Sequence, residues 1–168
     1  MGRFMSKSPK TRSILALDPA LSTGWAWTDG KRLVSGEWDL SANDPKGVKV
    51  TMNTWAWRLR TLGNHLWDTI DLMRGIDTVI IERVSYQGKS SANTMKLQRY
   101  VGLMLAYVPE AEIIECSPNS WKASIGGGRM TKPQYRKAAM RYWQLPELPG
   151  EDEAAALGML AWAQGRFK

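Results

Sequence analysis

The chain has 168 residues, 43% hydrophobic and 23% charged, which suits one globular domain with a hydrophobic core and leaves little room for a second. No apolar run reaches the length of a membrane span, the basic N-terminus is not followed by the apolar stretch of a secretory signal, and the single Cys116 excludes an internal disulfide framework or a cysteine-based zinc site. A net charge of +7 favours an anionic partner, and the charge is unevenly placed: cations crowd Lys122 to Arg141, whereas acids cluster at Glu147 to Glu153. A lone cysteine also fits a reducing, cytoplasmic setting.

In chain order, residues 1–12 read as a basic, mobile tail and 13–168 as the single domain. Ser13 to Leu17 is a short apolar run stopped by Asp18-Pro19, hence a buried strand. Gly24 to Thr28 and Leu33 to Trp38 are the next two strands, and Asp29-Gly30 between them signals a hairpin. After a polar loop, Lys49 to Arg74 places Leu59, Leu62, Leu66, Ile70 and Met73 at helical spacing, with Gly75 as the stop. Thr78 to Ile81 is a second apolar strand ending in an acid, Glu82, and a polar loop then leads to a helix over Ala92 to Tyr107. Glu112 to Cys116 is a fifth strand. A short helical turn from Pro118 through Trp121 precedes the run Gly126-Gly127-Gly128. Lys132 to Trp143 is a basic helix with Pro133 in its first turn, and Glu151 to Gly165 is the last helix. This order predicts an α/β fold: a mixed five-stranded sheet, its first three strands antiparallel, with helices on both faces. Most of the nine tryptophans are expected in the core.

Acids stand where two strands end and one helix begins: Asp18, Glu82 and Glu151-Asp152-Glu153. Sites in α/β sheets form outside strand ends, so Asp18 and Glu82 are placed to share one crevice. Converging carboxylates repel one another unless cations intervene, and two hard divalent ions held by such a cluster are what phosphodiester hydrolysis uses. Each residue alone also has an ordinary structural explanation. Asp18 before a proline suits a turn, and Asp152 suits a helix dipole. Glu82 is harder to explain in this way, because an acid behind Val79-Ile80-Ile81 is costly to bury without a partner.

Taken together, these segments resemble the RuvC-like Holliday junction resolvases of the RNase H-like superfamily. Ile14 to Pro19 followed by Thr23-Gly24-Trp25-Ala26 looks like the family's opening strand and hairpin. Ile80-Ile81-Glu82 with the helix containing Leu97, Gly102 and Leu103 looks like its second acidic motif. Pro118 to Lys122, Gly126, Gly128 and Lys132 are similar to its basic segment, and Asp152 to Gly158 to the acidic start of its final helix. The resemblance runs in order from Ile14 to Ala163. It implies that Asp18, Glu82 and Asp152 hold two Mg²⁺ or Mn²⁺ ions around a scissile phosphate, with Lys122 and Lys132 against its charge. The alternative for both lysines is simple solvation, but the neighbouring glycines favour a close approach to phosphate.

Two positions depart from the family pattern. Ala20 stands where glycine is usual, and Ala155 where a second acid of the last helix is common. Glu153, or failing that Glu151, is then the candidate fourth ligand. In the family this loop reaches the junction centre, so the resemblance implies that Tyr86 stacks on an unpaired base, the alternative being an incidental loop tyrosine; further DNA contacts are expected from Lys89, Lys122, Arg129, Lys132, Arg136 and Lys137. The resemblance further implies a homodimer making paired symmetric nicks in a four-way junction, with its interface on the helices starting at Lys49 and Ala92, and no small-molecule cofactor. A broader flap, fork or RNA–DNA hybrid nuclease and a non-catalytic nucleic-acid-binding module remain open, since substrate choice lives in loops and dimer geometry. Either a bacterial or a phage origin fits, with the tail and divergence pointing to phage.

Overall fold

The computed structural model describes residues 12–42, 44, 51–73, 75–83 and 91–167. The tail before Arg12 and the loop residues Tyr86 and Lys89 lie outside the described residues. Five strands form one sheet: β1 (Ile14–Asp18), β2 (Ser22–Thr28), β3 (Leu33–Asp39), β4 (Thr78–Glu82) and β5 (Glu112–Cys116), in the order β3-β2-β1-β4-β5. The first three are antiparallel, while β1, β4 and β5 run parallel, as the predicted mixed sheet requires. The hairpin between β2 and β3 turns at Gly30, whose φ of 83° needs glycine, and Asp29 Oδ1 accepts from the N–H groups of Lys31 and Arg32. Arg12, the last residue of the expected tail, is tied down: it pairs with Glu112 at 2.8 Å and lies over the Phe167 ring.

Alternation along β1 separates two cores. Leu15 and Leu17 face α1 (Met52–Met73) and α2 (Ser91–Ala106), packing with Leu62, Leu66, Tyr100 and Met104. Ile14 and Ala16 face α3 (Pro118–Ile125), α4 (Lys132–Trp143) and α5 (Glu151–Arg166), where Trp121, Tyr135 and the alanine-rich face of α5 are buried. The short turn expected to end at Trp121 is therefore a full helix to Ile125, because Trp121 and Ile125, four residues apart, bury one stripe. Trp27, Trp38 and Trp121 are buried as expected. Trp57 and Trp67, however, are 64% and 69% exposed, on the side of α1 turned away from the sheet.

Candidate active site

The strand register decides which acids meet. Ala16 pairs with Ile80 and Leu17 with Ile81 across β1 and β4, so the next residues along the two parallel strands are Asp18 and Glu82. Both continue the face that carries Ala16 and Ile80, the face covered by α5. Asp18 is paired with Gly24 of β2, and a Cβ at Gly24 would lie 1.9 Å from the carbonyl oxygen of Asp152. Only glycine lets the first turn of α5 rest on the sheet there, which brings Asp152 to Asp18 from the helix side.

These residues line a cavity of about 360 Å³ that also takes in Glu151, Lys122, Lys132, Trp121, Tyr135 and Ala155. Burial drives the Asp18 carboxyl well above the ordinary range, with further increments from the charges of Glu82, Asp152, Glu151 and Glu37. Burial also raises Glu82, against the opposing pull of a hydrogen bond from Trp121 and of the Lys122 charge. For Asp152 the sequence is the same: burial raises it, the Ser22 hydroxyl pulls it back, and Glu37 adds repulsion. The Tyr135 hydroxyl is held protonated by burial and by the surrounding carboxylates. Behind Glu82, the buried Cys116 thiol is pushed up to about 12 by burial, which keeps it from acting as a thiolate nucleophile.

Trp121 holds the second acid in place. Its Nε1 donates to Glu82 Oε2 at 2.8 Å, its ring meets Tyr135 edge-on at 5.2 Å, and it packs on Gly158, where a Cβ would fall 2.5 Å from the indole. Lys122 Nζ sits 5.3 Å from the Trp121 ring and 5.4 Å from the Tyr135 ring, a cation held by two aromatic faces at the cavity wall. Lys132 makes an ion pair with Glu151, which raises the lysine's pKa.

Asp18, Glu82, Asp152, Lys122 and Lys132 are thus brought together. Glu153 is not: its Oε1 accepts from Ser35 of β3 at 2.6 Å and its Oε2 from the Gly150 N–H at 3.2 Å, so it is committed to anchoring α5. Glu151 lines the cavity instead, as does Ala155. Arg136 also turns inward, its Nε donating to the Pro149 carbonyl at 2.7 Å. Arg129 and Lys137 line a second cleft of about 610 Å³ with Arg141 and the Gly126 to Gly128 backbone, next to the first and sharing Met130 with it. Sequence reasoning misses Arg141 and Glu37. For Glu37 a signal is present: with Ser35 it puts polar side chains on the helix-covered face of β3, opposite Trp38.

The carboxylate oxygens present are the hard donors that Mg²⁺ or Mn²⁺ takes. Among the described residues no three acids already converge on one point, so an ion would have to draw them together.

No protein-family model matches the sequence, and no curated protein matches it. Solved structures do match. RuvC of Thermus thermophilus, solved in complex with a Holliday junction substrate, superposes with a TM-score of 0.71 at 15% identity, over 93% of this chain and 96% of that one. A second T. thermophilus RuvC structure gives 0.64 at 18% identity, over 92% and 96%. The yeast mitochondrial Holliday junction resolvase Ydc2 gives 0.56 at 16% identity, over 96% and 83%. The chain has the RuvC-type, RNase H-like fold across nearly its whole described length.

Proposed function

We propose that this protein is a divalent-metal-dependent endonuclease that resolves four-way DNA junctions by paired symmetric nicks leaving 5′-phosphate ends. The observation that carries the reading is the cavity itself: Asp18, Glu82, Asp152 and Glu151 stand with Lys122 and Lys132 in one pocket of a RuvC-type fold. Asp18, Glu82 and Asp152 would hold the ions, with Glu151 as the fourth ligand in place of Glu153. Bound ions would activate water and stabilise the leaving 3′ oxygen. The protein's own part is to gather the carboxylates around one cavity, exclude bulk water with Trp121 and Tyr135, and set Lys122 and Lys132 against phosphate charge.

The neighbouring cleft supplies the track for the DNA backbone. Arg129, Lys137 and Arg141 converge there without an ion-pair partner among the described residues, and no carboxylate lines it. Affinity then comes mainly from phosphate contacts and falls steeply with salt, and selectivity comes from branch shape. Two nicks across a junction need two sites, hence a homodimer, for which the outward Trp57 and Trp67 of α1 offer apolar surface.

The test is a nicking assay on four-way junctions, flaps, forks, RNA–DNA hybrids and linear duplex, in Mg²⁺ or EDTA, with the native chain and Glu82→Gln. Paired Mg²⁺-dependent nicks confined to the junction and absent from Glu82→Gln are expected. Equal cutting of flaps or hybrids would replace this reading with a broader nuclease, and binding without cleavage in either Mg²⁺ or Mn²⁺ would leave a binding module.

A further inference from the structure

The helix that carries Asp152 is capped by another part of the chain. Gly150 occupies the N-cap position of α5 and has no side chain to offer the exposed N–H groups of the first turn. Glu37 of β3 does this work across the sheet: its Oε1 accepts from the N–H of Asp152 at 2.9 Å and of Glu153 at 3.0 Å. The local sequence is built to admit it. A Cβ at Gly150 would lie 2.0 Å from Glu37 Oε1, so any side chain on the cap residue would expel the carboxylate. On its other side, the Asp152 carbonyl rests on Gly24 of β2, where a Cβ would lie 1.9 Å away. The peptide groups around Asp152 are therefore gripped from β3 through an N–H and seated on β2 through a carbonyl, while its side chain lines the cavity.

A serine or aspartate at position 150 would satisfy the same N–H groups, but it would fix the helix only to itself. A carboxylate on β3 fixes it to the sheet that bears Asp18. We infer that Glu37 is a positioning residue: by capping α5 from β3 it sets the backbone of Asp152 relative to Asp18, and so sets the geometry in which the site takes a divalent ion. The consequence for ion binding rests on the nuclease reading; the anchoring itself does not.

Two substitutions separate position from charge. Glu37→Gln keeps the reach and a carbonyl oxygen able to accept both N–H groups, but removes the charge. Glu37→Asp keeps the charge and withdraws it by one methylene. Amide exchange at Asp152 and Glu153 is followed by NMR in the metal-free full-length chain, and Ca²⁺ or Mn²⁺ affinity by calorimetry without DNA. Glu37→Gln, which keeps the reach and loses only the charge, should stay closer to the native chain than Glu37→Asp in both. Glu37→Asp should exchange those two amides about tenfold faster and bind the ion roughly tenfold more weakly, as when a group that orients a metal ligand is removed. The reverse pattern, with Asp tolerated and Gln damaging, would overturn the inference in favour of a simple field effect, and so would native exchange rates in Glu37→Asp. If the native chain binds no divalent ion, the nuclease reading falls, and the exchange data alone decide the anchoring.

Discussion

Adding one methyl group to α5 should damage the site from behind Trp121. In Gly158→Ala the new Cβ would fall 2.5 Å from Trp121 Cε3 and 3.0 Å from Cζ3. Comfortable carbon contacts are about 3.5–4.0 Å, so the indole must retreat by roughly 1 Å. It has nowhere easy to go: Trp121 is 2% exposed and wedged against Tyr135, and its Nε1 is already 2.8 Å from Glu82 Oε2. A displacement of that size takes the bond beyond useful length. Overpacking costs about 1–3 kcal/mol, and breaking the bond to a carboxylate about 1.5–3 kcal/mol. A combined loss of about 3–5 kcal/mol corresponds to a fall in Tm on the order of 10 °C for a chain of this size. Urea and thermal melts in EDTA would measure it, within a double-mutant cycle against Trp121→Leu. Leucine leaves room for the methyl group, so Gly158→Ala in that background should cost less than about 1 kcal/mol, giving a coupling of about 2 kcal/mol or more. Additive penalties would refute the reasoning, as would a Gly158→Ala variant that melts like the native chain.

Three further tests address the charged residues. Asp18, Glu82 and Asp152 all have carboxyls raised chiefly by burial. Raised folded values mean that their contribution to stability is present below about pH 4 and lost as pH climbs through those values. In EDTA, Asp18→Asn should therefore melt higher than the native chain at pH 7, with the gap closing toward pH 4, and saturating Ca²⁺ should restore the native chain but not the variant; a pH-independent gap would contradict this. On the DNA side, replacing Arg129, Lys137 and Arg141 together by alanine should flatten the log–log salt dependence of junction binding by about 0.9 for each phosphate no longer neutralised, with little change in Tm. Arg136→Met, which gives up the bond to Pro149, should do the opposite, lowering stability by about 1–2 kcal/mol and leaving the salt dependence intact.

Much of the site could be read from the sequence because it follows from strand periodicity. An apolar run ending in an acid, twice, with period-two alternation behind each, puts Asp18 and Glu82 on the same face once β1 and β4 pair in parallel. Periodicity does not place Lys122 and Lys132; the family resemblance implies them, and both line the same cavity. Helix phase is less legible. Glu151, Asp152 and Glu153 are consecutive acids about 100° apart around α5, and which of them enters the cavity depends on how the helix is rotated against the sheet. That rotation is set by Gly24 and Glu37, residues distant in sequence that meet α5 only in the fold. The same applies to Arg136, which looks like any other cation of α4 until the turn at Pro149 folds back beside it. Trp57 and Trp67 show the converse: hydrophobicity suggests burial, but the sheet-facing stripe of α1 is already filled by Leu62, Leu66 and Met73.

On the nuclease reading, the distribution of charge separates holding DNA from cutting it. The chain carries +7 overall, yet four carboxylates line the candidate active site against two lysines, and Lys132 is already paired with Glu151. A phosphodiester drawn in by the cationic cleft beside Met130 therefore meets a local field of its own sign at the acids. Divalent ions bound there would reverse that field only where the carboxylates are, and would leave the cleft of Arg129, Lys137 and Arg141 unchanged. On the nuclease reading, the branched substrate is retained through phosphate contacts whether or not metal is present, and the ion admits the scissile phosphate to the cavity. Holding the acids near one another by the Glu37 cap, the Gly24 seat and the Trp121 bond is unfavourable in the metal-free chain, chiefly because the carboxyls are buried and further because their charges repel, and bound ions would supply the compensating attraction.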